Sequence, residues 1–72
     1  MVQERQTRTV YYETATDIRI IDDVHNVDDF IQERGVLARA MGYQTITNKN
    51  KSLDIYDEGV LVGTYFHDKH MN

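Results

Sequence analysis

The stretch Val60-Leu61-Val62-Gly63-Thr64-Tyr65-Phe66 decides the fold, because it is apolar on both of its predicted faces. Side chains alternate along a strand, so Val60, Val62 and Phe66 are expected on one face. Leu61 and Tyr65 are expected on the other face. The rest of the chain predicts a single helix, and one helix covers one face of a small sheet. The second apolar face therefore needs another cover, most simply a second copy of the chain or a protein partner.

The helix is predicted over Val27 to Met41. Asn26 is a good N-cap, and Asp29 stands at the third helical position, where an acid suits the cap. Gly42 follows the helix at the position that favours a left-handed residue. The apolar positions recur at helical spacing and predict the buried stripe. They are Phe30, Leu37 and Met41, with Val27 and Ile31 beside them. Gly35 predicts a kink or the close approach of a strand.

Five strands are predicted around this helix. Before it, Thr7–Tyr12 and Asp17–Asp23 are rich in β-forming residues. We interpret them as two strands rather than one long bent strand. After the helix, strands are predicted at Tyr43–Thr47, Ser52–Tyr56 and Val60–Phe66.

The last two strands are joined through Asp57-Glu58-Gly59. We expect a three-residue loop, because a two-residue type I′ turn forces Glu58 to positive φ. That register places Ile55 opposite Leu61 and Leu53 opposite Gly63 on the helix-covered side. Four apolar residues then share the other face and form the predicted partner-binding surface. They are Tyr56, Val60, Val62 and Phe66. A two-residue register is the alternative, and it also leaves apolar residues on both sides.

The predicted fold class is α+β, with one helix packed on a four- or five-stranded, mainly antiparallel sheet in the order ββαβββ. We expect residues 1–72 to form a single domain, with frayed ends at 1–6 and 68–72. A chain of this size buries only about 60% of its unfolded surface, which favours association. Alternatively, the N-terminal strands curl into a half-barrel and cover the second face internally.

Composition excludes several classes of function. The chain has no Cys, and its net charge is −4. Negative charge argues against direct binding to nucleic acids or to anionic membranes, since both depend on Lys and Arg. The first residues lack a signal-peptide core, and no apolar run is long enough for a membrane span. We therefore expect a cytoplasmic protein.

An acidic belt runs from Glu13 to Glu33 and holds seven acids but only one base, Arg19. Solvation and helix capping are the simpler interpretation, which we favour. In the functional interpretation, the belt docks on a basic surface of another protein. The residues predicted for that contact are Asp22, Asp23, Asp28, Asp29 and Glu33.

The sequence offers few residues of the types that catalytic or metal-binding sites require. The single Ser is Ser52, with no Cys and no Gly-rich phosphate loop, so we expect neither an enzyme nor a cofactor. Asp22, Asp23, His25, Asp28 and Asp29 lie close in sequence but match no metal-binding spacing, and His67 and His70 are equally weak candidates for zinc. The five tyrosines resemble a nucleic-acid stacking platform, but the charge favours structural and interface roles.

The leading hypothesis is thus a non-enzymatic protein-binding module, homodimeric through the apolar sheet face. The alternative is an acidic inhibitor of the phage or prophage type, which occupies the nucleic-acid-binding surface of a partner protein in the manner of a DNA mimic.

Overall fold

The structure, a computed structural model, describes residues 7–67, so the predicted frayed ends at 1–6 and 68–72 lie outside the described residues. It contains one helix packed on a five-stranded antiparallel sheet, which confirms the predicted α+β fold and its ββαβββ order. The elements are β1 Arg8–Glu13, β2 Ile18–Val24, α1 Val27–Ala40, β3 Gln44–Thr47, β4 Leu53–Asp57 and β5 Val60–His67. The sheet order is β2-β1-β5-β4-β3, so β1 and β2 are two separate strands, as predicted.

Both ends of α1 follow the signals in the sequence. Asn26 is extended, and its side chain accepts a hydrogen bond of 3.1 Å from the backbone N–H of Asp29. At the other end Gly42 is left-handed, with φ of 97°. The N–H groups of Gly42 and Tyr43 donate to the carbonyls of Arg39 and Ala38, each at 3.0 Å, which closes the last turn.

The buried stripe of α1 differs from the predicted one. The helix residues buried against the sheet are Val27, Ile31, Gly35 and Ala38. Leu37 is 48% exposed and Met41 is 73% exposed, so the prediction that they face the core is wrong. Gly35 lies inside α1, which is continuous from Val27 to Ala40. A side chain there would lie 3.4 Å from a Leu53 methyl group, so it marks close packing of the helix on β4.

The core lies between α1 and the helix-facing side of the sheet. Its fully buried members include Val10 of β1 and Leu53 of β4. Tyr12 and Tyr65 pack against this core from the same side. Because one helix supplies the only other layer among residues 7–67, the opposite side of the sheet has no covering element.

The β4–β5 hairpin corrects the predicted register. Asp57 pairs with Val60, so the loop has two residues, and both Glu58 and Gly59 have positive φ, at 52° and 84°. These values fit a type I′ turn, whose twist matches that of the flanking strands. The three-residue loop was therefore the wrong prediction, because the strand twist outweighs the local strain at Glu58.

A β-bulge then changes the faces of β5. Tyr56 pairs with Leu61 but Ile55 pairs with Gly63, which leaves Val62 as an extra residue. Beyond the bulge Leu53 pairs with Tyr65, so the predicted pairs of Ile55 with Leu61 and Leu53 with Gly63 are wrong. A bulge interrupts the simple alternation of side chains along a strand.

Candidate protein-binding surfaces

The uncovered side of the sheet, here called the open face, carries a broad set of apolar side chains. Residues paired across neighbouring strands share a face, so the strand register defines its members. They are Tyr11, Ile18, Ile20, Ile46, Tyr56, Leu61 and Phe66. Four of them are about half exposed or more, namely Ile18 at 49%, Ile20 at 60%, Ile46 at 51% and Leu61 at 51%.

Two aromatic side chains of the open face, Tyr11 and Phe66, already pack against each other within one subunit. Tyr11 pairs with Ile20 on one side and with Phe66 on the other. The Tyr11 and Phe66 rings stack with their centroids 5.3 Å apart. Rigid aromatic side chains lose little entropy when a partner covers them, which makes them good interface anchors.

A polar strip crosses the middle of the open face. Glu13 pairs with Thr64, and Thr64 pairs with Asp54. The Thr64 hydroxyl donates to Asp54 Oδ1 at 2.8 Å, and the Asn48 amide donates to Oδ2 at 3.2 Å. Both oxygens of the half-buried Asp54 therefore have partners inside the subunit, and a covering molecule need not supply them.

The structure brings together only part of the predicted apolar surface. Tyr56 and Phe66 lie on the open face, as predicted. Val62 lies on the helix side and packs against the core, so its assignment to the partner-binding face is wrong, and the bulge is the reason. Val60 pairs with Asp57 beside the turn, so alternation puts it on the side opposite Tyr56 and not on the predicted face, and it is 67% exposed.

Sequence reasoning missed Tyr11, Ile18, Ile20, Ile46 and Leu61 as members of this surface. The alternation of Ile18 and Ile20 was a usable signal, because two isoleucines on one side of a strand need cover. Their junction with Phe66 depends on β1 lying between β2 and β5. That pairing joins distant parts of the chain and leaves no local trace in the sequence.

The acidic belt forms a separate surface. Asp22, Asp23, Asp29 and Glu33 line one open hollow of about 430 Å³, together with His25 and without any Lys or Arg. We call it the acidic hollow. Asp28 points elsewhere, because its carboxylate lies 3.2 Å from the Lys51 ammonium. That pair is exposed and adds little stability.

A second β-bulge shapes the rim of the acidic hollow. Val10 pairs with Ile21 and Arg8 with Val24, so Asp22 and Asp23 together oppose the single residue Thr9. Asp23 takes the left-handed conformation with φ of 60°, which Asp tolerates better than most residues. The Thr9 hydroxyl donates to Asp22 at 3.0 Å. The bulge thus turns two neighbouring carboxylates outward at the edge of the sheet.

Within residues 7–67, the structure places no three His, Asp or Glu side chains together in a way that could hold a metal ion. His70 lies outside that range. In the same part of the chain, no helix is long and apolar enough to cross a membrane.

No protein-family model, no curated protein and no solved structure matches the chain.

Proposed function

We propose that this protein is a non-enzymatic, acidic protein-binding module that forms a homodimer through its open face. The observation that carries the proposal is the uncovered side of the sheet, where Ile18, Ile20, Ile46 and Leu61 are each about half exposed or more. Exposed apolar side chains gathered on one side of a sheet are typical of interaction sites, even where a polar strip crosses them. The small size of the chain supports self-association, because a single copy buries a small core.

A two-fold symmetric dimer suits this face. In such an interface the same patch meets itself, so a self-complementary apolar surface is sufficient. The stacked Tyr11 and Phe66 rings, flanked by Ile20, would form its apolar contact on one side of the polar strip. We place this association in the cytoplasm, in keeping with a chain that has no Cys.

Sedimentation equilibrium of the full chain tests the dimer. We expect a dimer mass at about 100 μM and partial dissociation on dilution. Ile20→Glu should weaken the dimer by more than about tenfold, because an unpaired carboxylate would be buried in the interface. Val36→Glu is the matched control: Val36 is 52% exposed on the helix, so the dimer should be unaffected.

Two results would refute this proposal. One is a wild-type monomer that persists at about 100 μM, in the range where weak homodimers form. The other is equal weakening by Ile20→Glu and Val36→Glu, which would show a general effect of charge rather than contact through the open face.

The alternative function is an acidic inhibitor that occupies a basic, nucleic-acid-binding surface of another protein. The acidic hollow favours it, since Asp22, Asp23, Asp29 and Glu33 converge there without a basic residue in its lining. Such a patch speeds association with a basic surface through long-range attraction that salt weakens.

A charge-reversal pair tests the alternative. Asp29→Lys with Glu33→Lys should abolish binding of a basic protein captured from the native host, and with it the inhibition of that protein's nucleic-acid binding. Asp57→Lys with Glu58→Lys changes the net charge equally but lies at the β4–β5 turn, outside the hollow. Equal loss with both pairs would indicate non-specific attraction and would rule out the hollow as the docking site.

A further inference from the structure

A half-open cavity of about 260 Å³ lies between the second half of α1 and the helix-facing side of the sheet. It is on the opposite side of the sheet from the open face and is separate from the acidic hollow. Three tyrosines and one arginine are among its lining residues: Tyr12, Tyr43, Tyr65 and Arg34. No Asp or Glu is among its lining residues.

Arg34 is a lining residue of this cavity, and one of its side-chain donors is unsatisfied. Its guanidinium carbon lies 4.7 Å from the centre of the Phe30 ring, which fixes the side chain by a cation–π contact. Its Nε–H is buried and has no hydrogen-bond partner. Within residues 7–67 the salt bridge joins Lys51 to Asp28. No Asp or Glu in that range forms an ion pair with the Arg34 guanidinium. A buried donor of this kind favours an acceptor that the subunit does not supply.

The three phenols add further donors beside this cation. The Tyr12 and Tyr65 ring centroids are 4.4 Å apart. The pKa of Tyr12 is raised, first by burial and then by the neighbouring Tyr65 and Tyr43 phenols. The Tyr12 hydroxyl is protonated at neutral pH, as an ordinary phenol also is, and a protonated hydroxyl can donate to an anion.

The remaining walls are apolar. Leu37, Ala38 and Val62 line the cavity, and Met41 stands at it with 73% of its surface exposed. The volume is below the range of about 300–1,000 Å³ usual for drug-sized ligands. The occupant must therefore be small, and it must combine a negative group with an apolar body.

We propose that this cavity binds a small carboxylate with an aromatic or branched aliphatic body. The carboxylate accepts from the Arg34 guanidinium and a tyrosine hydroxyl, and the apolar body covers Leu37 and Val62. A planar guanidinium matches a carboxylate in geometry, with two parallel hydrogen bonds. Inorganic phosphate lacks the apolar body and is expected to bind more weakly.

Nitrogen-detected NMR of the full ¹⁵N-labelled chain tests this site, because the Arg34 Nε–H gives its own resonance. Phenylacetate and isovalerate are the probes, and phenylacetamide is the neutral analogue of the first. We expect a saturable shift of the Arg34 resonance with both carboxylates. Phenylacetamide should bind about 10- to 100-fold more weakly, as expected for the loss of hydrogen bonds to a charged group.

Two substitutions on α1 form a matched pair. Arg34→Met should remove the phenylacetate-induced shifts of the cavity residues. Arg39→Met should retain them, because Arg39 lies outside the cavity and donates to Thr45 at 2.7 Å. Should Arg34→Met fail to fold, Tyr43→Phe removes one donor with less disturbance and should weaken phenylacetate about 2- to 10-fold.

The proposal fails if neither carboxylate gives a saturable shift at about 10 mM, a concentration that would reveal even millimolar affinity. It also fails if phenylacetamide or inorganic phosphate binds as tightly as phenylacetate, or if folded Arg34→Met binds as the wild type does. None of these results bears on dimerisation, which concerns the other side of the sheet.

Discussion

At Gly63 the backbone of β5 lies against the Tyr12 phenol. A methyl group added at Gly63 would overlap the hydroxyl and the adjoining ring carbons of Tyr12. Glycine is therefore required here for space, because its φ is not among the positive values of the chain. The same close approach positions the Tyr12 ring beside Tyr65, where both line the helix-side cavity.

Gly63→Ala should lower the free energy of unfolding by about 1–3 kcal/mol, the usual cost of overpacking a core. Urea denaturation followed by circular dichroism measures this change in the free energy of unfolding.

Gly35→Ala is the control: its added methyl would lie 3.2 Å from the flexible end of Arg39, and alanine favours a helix by about 1 kcal/mol over glycine. In a Tyr12→Ala background, Gly63→Ala should cost less free energy of unfolding than it does in the wild type, because the overlapping ring is gone. Strict additivity of the two changes would contradict direct overlap.

In the β4–β5 hairpin, the twist of the two strands imposes a left-handed backbone conformation on Glu58, a residue that adopts it at a cost in free energy. Glu58 has φ of 52° in the two-residue turn, although Asn, Asp or Gly would take that position at lower cost. Replacing Glu58 with Asn should therefore stabilise the protein by roughly 1 kcal/mol. Thermal unfolding measures the gain. Glu58→Ala removes the same charge but keeps the strain, so an equal gain from both would attribute the effect to charge.

The elements themselves were predictable, because their signals are local. Asn26 and Gly42 mark the ends of α1, and each strand lies in a β-rich stretch between polar turns. The two bulges were not predictable. Each inserts one residue, and nothing in the alternation shows that Val62 or Asp23 is the extra one. Because the bulge breaks the alternation of side chains, the predicted faces of Leu61 and Val62 were wrong, while the face of Phe66 and the fold agree with the structure.

The sheet of the whole molecule has apolar side chains on its open face and the helix on its other face. Its strand order, β2-β1-β5-β4-β3, could not be predicted from the sequence. The pairing of β1 with β5 unites Tyr11 with Phe66 across most of the chain length. Without that pairing, the isoleucines of β2 had no predicted relation to the C-terminal strand. The existence of an uncovered apolar side was predictable, but its composition depended on long-range pairing.

Folding linked to dimer formation predicts a melting temperature that depends on chain concentration. Association of folded chains stabilises them by mass action, so a hundredfold increase in concentration should raise the melting temperature by about 5 °C or more. Scanning calorimetry over such a range measures it. Ile20→Glu should melt at one temperature throughout. A wild-type melting temperature independent of concentration would contradict the dimer.

The two edge strands of the sheet, β2 and β3, have features that oppose pairing with strands of other molecules. β3 has only four residues, and β2 is interrupted by the bulge that turns out Asp22 and Asp23. Short, kinked or charged margins resist the backbone pairing that lets sheets add further strands. Growth of the sheet into ribbons or fibrils by pairing at its edges is thereby discouraged, which leaves the open face as the surface through which copies associate.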